Sequence, residues 1–294
     1  MSSVVVSFDS GTQFIGENLE IIGQQNEANV IEVLFEESET TLSAQSALSD
    51  GENEFDMMID PPVEAQSGTS ITIIGGALND DIDLGVAGSS AVMGLDGEDT
   101  IKGGIRNDLI DGGEGNDMLM GGKGNDIVRG GFGDDDLMGN EGNDIIMAGP
   151  GNDTISGGLG NDLIEGGLGD DSIMGGPGFD TIKGGAGNDT IVGNDNLDSG
   201  DVIMGGSGAD MLTGGAGNDV FEFDASEFEA DAVDEITDFT KIDDTIRITG
   251  VGELGASYNF STGMISVDGV EAIDIGEGQD LTVTNNGDGE WEIF

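Results

Sequence analysis

Fourteen aspartates occupy one position of a nine-residue unit, and carboxylates at so regular a spacing are a means of holding cations through oxygen. Eleven units run without a gap from 94 to 192 and place Asp99, Asp108, Asp117, Asp126, Asp135, Asp144, Asp153, Asp162, Asp171, Asp180 and Asp189 at the sixth position. Beyond an interruption, Asp201, Asp210 and Asp219 continue the column. Position eight of the eleven units is always aliphatic (Ile101, Ile110, Leu119, Val128, Leu137, Ile146, Ile155, Ile164, Ile173, Ile182, Ile191). Positions one, two and four are mostly glycine, as in GGEGNDMLM (112–120) and GGKGNDIVR (121–129).

The same unit contains the elements that must position these carboxylates. Glycine supplies positive φ and close backbone approach in a six-residue loop, and Asn at position five (Asn107, Asn116, Asn125, Asn143, Asn152, Asn161, Asn188) tolerates the left-handed region. Three strand residues follow. Side chains alternate along a strand, so position eight points one way while seven and nine point the other. Only position eight is uniformly apolar, so it lines the core. Two units per turn would stack every eighteenth residue into two parallel sheets, with layers about 4.8 Å apart. Asp99, Asp117, Asp135, Asp153, Asp171 and Asp189 then line one edge, and Asp108, Asp126, Asp144, Asp162 and Asp180 the other. Carboxylates one layer apart repel unless a cation lies between them, and calcium accepts both carboxylate and main-chain carbonyl oxygens. In-phase neighbours make nine candidate sites. Nine divalent ions would neutralise eighteen of the 54 formal negative charges and leave 36.

The pattern G-G-x-G-x-D-x-U-x resembles the RTX, or haemolysin-type, calcium-binding repeat. The resemblance implies a right-handed parallel β-roll with calcium ions between the loops of successive turns, sharing aspartates and loop carbonyls. It also implies release from a Gram-negative cell through a type I exporter, directed by an uncleaved signal near the carboxyl terminus. The expected fold is all-β, a β-solenoid of two nine-residue units per turn with β-rich capping segments at both ends. A disordered, merely solvating tract would not need an aliphatic residue at every eighth position, and a metal-free solenoid would not place acid on acid.

The array weakens at its ends. GALNDDIDL (76–84) places Asp81 at position six, and GVAGSSAVM (85–93) has Ser90 there and Val92 in the core column, so 70–93 reads as degenerate leading turns. The β-roll itself is expected over 94–222, with an insertion at 193–204 read as a solvated bulge; an additional cation site through Asp195 and Asp198 is the alternative. Arg106, Ala148, Asn140 and Phe179 depart from the pattern, and Arg106 and Phe179 weaken the expectation of calcium beside them. Residues 1–37 (VVVSF, LEII, VIEVLF) read as a small β segment or cap, and 38–69, polar, acidic and carrying Pro61 and Pro62, as a linker. In 223–294, DEITDFTKIDDTIRITG (234–250) resembles the segment that follows such repeats. MISVDGVEAIDI and LTVTNNGDGEWEIF read as hairpins around Asp-Gly and Asn-Gly turns. The terminal GDGEWEIF is similar to a type I export signal; alternatively Trp291, Ile293 and Phe294 are the last strand of a folded cap.

Composition narrows the function. The chain has no cysteine and no histidine, which removes disulfides, thiol nucleophiles, His-dependent triads and the H-E-x-x-H zinc motif. An enzyme is not expected. With only seven Lys and Arg, neither nucleic acid nor an anionic lipid surface is an expected partner. No stretch reaches the roughly 18 apolar residues that a membrane span needs, and MSSVVVSFDS lacks the features of a conventional signal peptide. An outward stripe of Leu109, Ile127, Ile145 and Leu163, followed by Thr181, Val202 and Val220, offers a contact surface for a homo-oligomer or filament, unless the termini fold over it. The expectation is an extracellular, secreted or cell-surface protein that folds on binding calcium and serves as a structural or adhesive scaffold, such as a surface-layer, matrix or filament subunit. The alternative is a soluble calcium-binding accessory module. An ice-binding solenoid ranks lower, because Met118 and Asp136 interrupt the Thr and Asn ladder it would need.

Overall fold

The parallel coil follows from one alternation: strands in which only the middle position is uniformly apolar can bury that position only against copies of itself above, below and opposite. In the computed structural model, all eleven aliphatic residues of position eight are at most 2% exposed. The backbone is described for 3–7, 19–21, 30–35, 39–43, 58–59, 70–75, 79–85, 89–193, 199–228, 232–240, 242–252, 255–259, 261–276, 281–287 and 290–294, with side chains described from 73 onward. Among these residues there is no helix, and hence none long and apolar enough to cross a membrane. The chain divides into two compact units, Met1–Gly149 and Pro150–Phe294.

In the first unit, Leu109 pairs with Ile127 and Ile127 with Ile145, each in parallel register and eighteen residues apart. One sheet runs through Asp81–Asp83, Thr100–Gly104, Met118–Lys123 and Asp136–Glu141. The other runs through Ser70–Ile74, Ser90–Asp96, Leu109–Glu114, Ile127–Phe132 and Ile145–Pro150. Two nine-residue units therefore make one turn. The strands are longer than the three residues expected. Leu109–Glu114 covers positions seven to nine and one to three of the following unit, so two glycines lie inside the strand. Gly113, at φ 118°, bends the chain while the hydrogen-bonded ladder continues across it.

The three apolar runs near the amino terminus are strands: Ser3–Ser7, Leu19–Ile21 and Val30–Phe35, paired antiparallel. The span 38–69, read as a linker, instead holds Glu39–Ser43, parallel to Ser70–Ile74, and Met58–Ile59, parallel to Asp81–Asp83. Thr40, Thr41 and Leu42 suit a strand despite their polar surroundings.

In the second unit, parallel pairing persists past the glycine-rich repeats. Asp234–Ile236 joins Met211–Thr213, and Thr245–Thr249 joins Val220–Asp224. Both hairpins form. Met264–Val267 pairs antiparallel with Val270–Asp274 around Asp268 and Gly269, at φ 50° and 88°, and Val283–Gly287 pairs antiparallel with Glu290–Ile293. Aromatic residues join the aliphatic core here, with Phe221 and Phe239 rings 6.5 Å apart beside the buried Ile246 and Ile248. Ile182 is fully buried between Ile164 and Ile203 in the same column. Ile182→Ala is expected to destabilise the calcium-loaded protein by about 2–5 kcal/mol, measured by denaturant unfolding. A loss well under 1 kcal/mol would contradict a tightly packed column.

Candidate metal centre

Each position-six aspartate sits at the bend where a loop enters a strand, so its backbone and side chain are stacked on those of the next rung. All fourteen predicted aspartates are buried, none more than 4% exposed. In the first unit the amide of Asp99 donates to Asp117 Oδ1 at 2.8 Å, and that of Asp117 to Asp135 Oδ1 at 2.8 Å. On the other edge, Asp108 donates to Asp126 Oδ1 and Asp126 to Asp144 Oδ1, both at 2.7 Å. The second unit repeats this through Asp153, Asp171, Asp189 and Asp210 on one edge, and through Asp162, Asp180, Asp201 and Asp219 on the other. One oxygen of each carboxylate in these pairs is thus satisfied by the preceding rung.

The second oxygen is different. Oδ2 of Asp99, Asp108, Asp117, Asp126, Asp171, Asp180, Asp189, Asp210 and Asp219 is buried with no hydrogen-bond partner. An ionised oxygen left so costs far more than one amide hydrogen bond returns. Burial accordingly pushes the carboxyls of Asp99, Asp108 and Asp180 up from 3.8 to about 7, against the lowering effect of the amide hydrogen bond. Those of Asp126, Asp171, Asp189, Asp210 and Asp219 rise for the same reason to about 6. Neighbouring carboxylates add to the rise, as Asp80 and Asp117 do at Asp99.

Main-chain oxygens lie beside these carboxylates. A Cβ placed on Gly112 would fall 2.1 Å from Asp117 Oδ2 and 2.7 Å from the Gly130 carbonyl oxygen, so glycine at position one leaves room for two acceptors to face each other. At position four, a Cβ on Gly115 would lie 1.6 Å from the Gly97 oxygen of the rung below. Among the described residues no three acidic side chains converge on one point. A cation here therefore draws on carboxylate and carbonyl oxygens together, a donor set that fits calcium, and the absence of His and Cys leaves no softer ligand.

Several roles differ from the sequence reading. The leading rung is framed on Asp80, not Asp81: Ile82 pairs with Ile101 in the core, Asp80 is 2% exposed, and Asp81 faces solvent. The count is displaced because ten residues, not nine, separate Asp80 from Ser90, while Leu84 keeps register with the next turn by donating its amide to the Lys102 carbonyl at 3.0 Å. The position-five asparagines are not left-handed; their side chains form a second ladder, as where Asn107 Oδ1 accepts the Asn125 amide and Asn125 Oδ1 the Asn143 amide. Asn140, in place of the second glycine, does take positive φ, at 78°. The backbone passes Arg106 and Phe179 without leaving the ladder, since Asn107 Oδ1 still accepts from the next rung and Phe179 N–H donates to Asn161 Oδ1. Asp195 and Asp198 lie outside the described residues.

Two aspartates missed by the repeat count extend the columns. Asp210 N–H donates to Asp234 Oδ1 at 3.0 Å, and Asp219 N–H to Asp244 Oδ1 at 3.1 Å. The available signal was Asp-x-Ile, in Asp234-Glu235-Ile236 and Asp244-Thr245-Ile246, which keeps positions six and eight without the glycines. Asp244 is satisfied by the protein, because its Oδ2 accepts from the Thr240 amide and hydroxyl. Outside the columns, Lys102, Lys123, Arg129 and Lys183 each face an acid one rung away, exposed pairs that contribute little.

A family model for the RTX calcium-binding nonapeptide repeat matches four times, over residues 93–128, 129–164, 165–199 and 197–225. No curated protein matches the chain.

Proposed function

We propose that this chain, whose residues 93–225 are RTX calcium-binding nonapeptide repeats, works outside the cell as a non-catalytic scaffold that folds when it binds calcium. The observation that carries this reading is the buried Oδ2 without a hydrogen-bond partner on Asp99, Asp108, Asp117 and Asp126 in the first unit and on Asp171, Asp180, Asp189, Asp210 and Asp219 in the second. The ligands are Asp99, Asp108, Asp117, Asp126, Asp135, Asp144, Asp153, Asp162, Asp171, Asp180, Asp189, Asp201, Asp210 and Asp219, together with loop carbonyls. Calcium, when bound, would supply the positive charge that these columns lack, and the carboxylate and carbonyl oxygens would supply its ligands. The amides hold each carboxylate in place, and the glycines keep the space beside it open. In a calcium-poor cytosol the chain, at a formal charge of −54, repels itself and stays extended for a type I exporter; a calcium-rich medium then drives folding.

The scaffold role rests on the outward face. Leu109 and Ile127 are half-buried and Ile145 is 37% exposed in one register, and in the second unit Leu163 is 49% exposed. A soluble accessory module is the second reading, favoured by the closure of the last parallel strand, where Ile246 pairs with Ile293 and Ile248 with Trp291. Sedimentation velocity in chelator and then in millimolar calcium separates the two. Large regular assemblies in calcium are the expected result for a scaffold, whereas a compact monomer at every concentration would leave only the accessory reading. Calcium-dependent compaction that survives Asp126→Asn with Asp144→Asn unchanged would count against those ligands.

A further inference from the structure

The outer faces of the coil carry side-chain chemistry that the aspartate columns do not use. None of the eleven position-eight core residues is methionine, whereas Met118, Met120 and Met138 stand together on the outside of one sheet in the first unit. Strands Met118–Lys123 and Asp136–Glu141 pair in parallel, with Met120 opposite Met138 and Met118 opposite Asp136. Leu119 and Leu137, between them, are fully buried, so the four flanking side chains share the outer face. Adjacent strands lie about 4.8 Å apart and alternate residues of one strand roughly 7 Å apart. The four side chains therefore mark the corners of a small rectangle, three of them thioethers and the fourth a carboxyl group.

Methionine is unbranched and rotates about three bonds, so sulfurs from corners this close can meet above one point. Met118 is 41% exposed, and Met120 and Met138 are half-buried, which leaves the site open to an ion from solvent. Lys102, opposite Met120 on the preceding strand, has its Nζ 3.9 Å from Asp83 Oδ2, one rung further from the rectangle. Other methionines lack such company: Met93 pairs with Asp111, Met147 with Arg129, and Met174 with Ser156 and Val192. Thioether sulfur is a soft donor that suits monovalent copper, whereas calcium takes oxygen, so the two kinds of ion do not compete.

We propose that Met118, Met120 and Met138 bind one soft monovalent cation, copper(I) or its redox-stable analogue silver(I), on the outer face of this sheet, with Asp136 supplying negative charge at the fourth corner. The site uses no aspartate of the buried columns. Parallel pairing of two neighbouring strands creates it, because the three sulfurs come from two repeats.

Calorimetric titration of the full chain with silver nitrate, in chloride-free buffer containing calcium acetate, is expected to show one tight site. Met118→Leu, Met120→Leu and Met138→Leu keep the apolar volume and remove the sulfur. Each is expected to weaken that site by roughly tenfold or more, and Met147→Leu to leave it unchanged. Peroxide oxidation followed by peptide mass mapping gives a second reading on the unsubstituted protein. Bound silver is expected to slow sulfoxide formation at Met118, Met120 and Met138, while Met147 oxidises at its former rate. Lack of a tight site, an equal loss in Met147→Leu, or shielding spread evenly over all methionines overturns the proposal.

Discussion

Chelating calcium at pH 7 is expected to unfold the array outright. Nine aspartates bury an unpartnered carboxylate oxygen, and eight of them have carboxyls raised from 3.8 to about 6 or 7. At about 1.4 kcal/mol per pH unit, holding one such group ionised inside the fold costs on the order of 3 kcal/mol. A few such groups already match the roughly 5–15 kcal/mol by which a domain is stable. Far-UV circular dichroism and amide hydrogen exchange should therefore show strand signal and protection in calcium, with both lost in chelator. A chelated chain that keeps its protected amides would show that the protein accommodates the carboxylates by itself, and the coupling of folding to calcium would fall.

Acid should partly replace calcium. A carboxyl whose pKa is higher in the fold than in the unfolded chain binds its proton more tightly when folded. Its contribution is therefore fully present below the unfolded value of 3.8 and is lost as pH rises through about 6 for Asp126, Asp171, Asp189, Asp210 and Asp219, and through about 7 for Asp99, Asp108 and Asp180. Calcium-free protein titrated from pH 8 towards pH 4 is expected to gain strand signal progressively from about pH 7 down to about pH 4. The calcium-loaded protein should stay flat over the upper part of that range and release its ions towards the lower part, as protons compete for the same oxygens. Loss of strand signal on acidifying the calcium-free chain would reverse the sign and refute the burial argument. The sequence pI of about 4.1 calls for dilute samples near the end of the titration.

These effects trace to a small part of the sequence. Asp117 and Leu119, two residues apart and repeated every nine, are enough to predict that one side chain is core and the other lies at a strand edge, because a period of two within a strand and eighteen between turns allows no other burial of a uniformly aliphatic position. The fold class and the fourteen column aspartates were legible for that reason. What local spacing could not supply was register where the spacing changes. Asp80 rather than Asp81 enters the column because Ile82 is drawn into the core against Ile101, and ten residues rather than nine separate Asp80 from Ser90.

The same holds at the other end, where Asp234 and Asp244 lie 24 and 25 residues beyond their partners. They join the ladders through hydrogen bonds between distant segments that no nine-residue window contains. The asparagines show a third case, since their type suggested a backbone conformation while their use, accepting an amide from the next rung, exists only once the rungs are stacked. Composition and period by themselves determined that this protein is a coil of stacked carboxylates. Tertiary structure decided which oxygens are left without a donor, because that depends on what each rung meets above and below it.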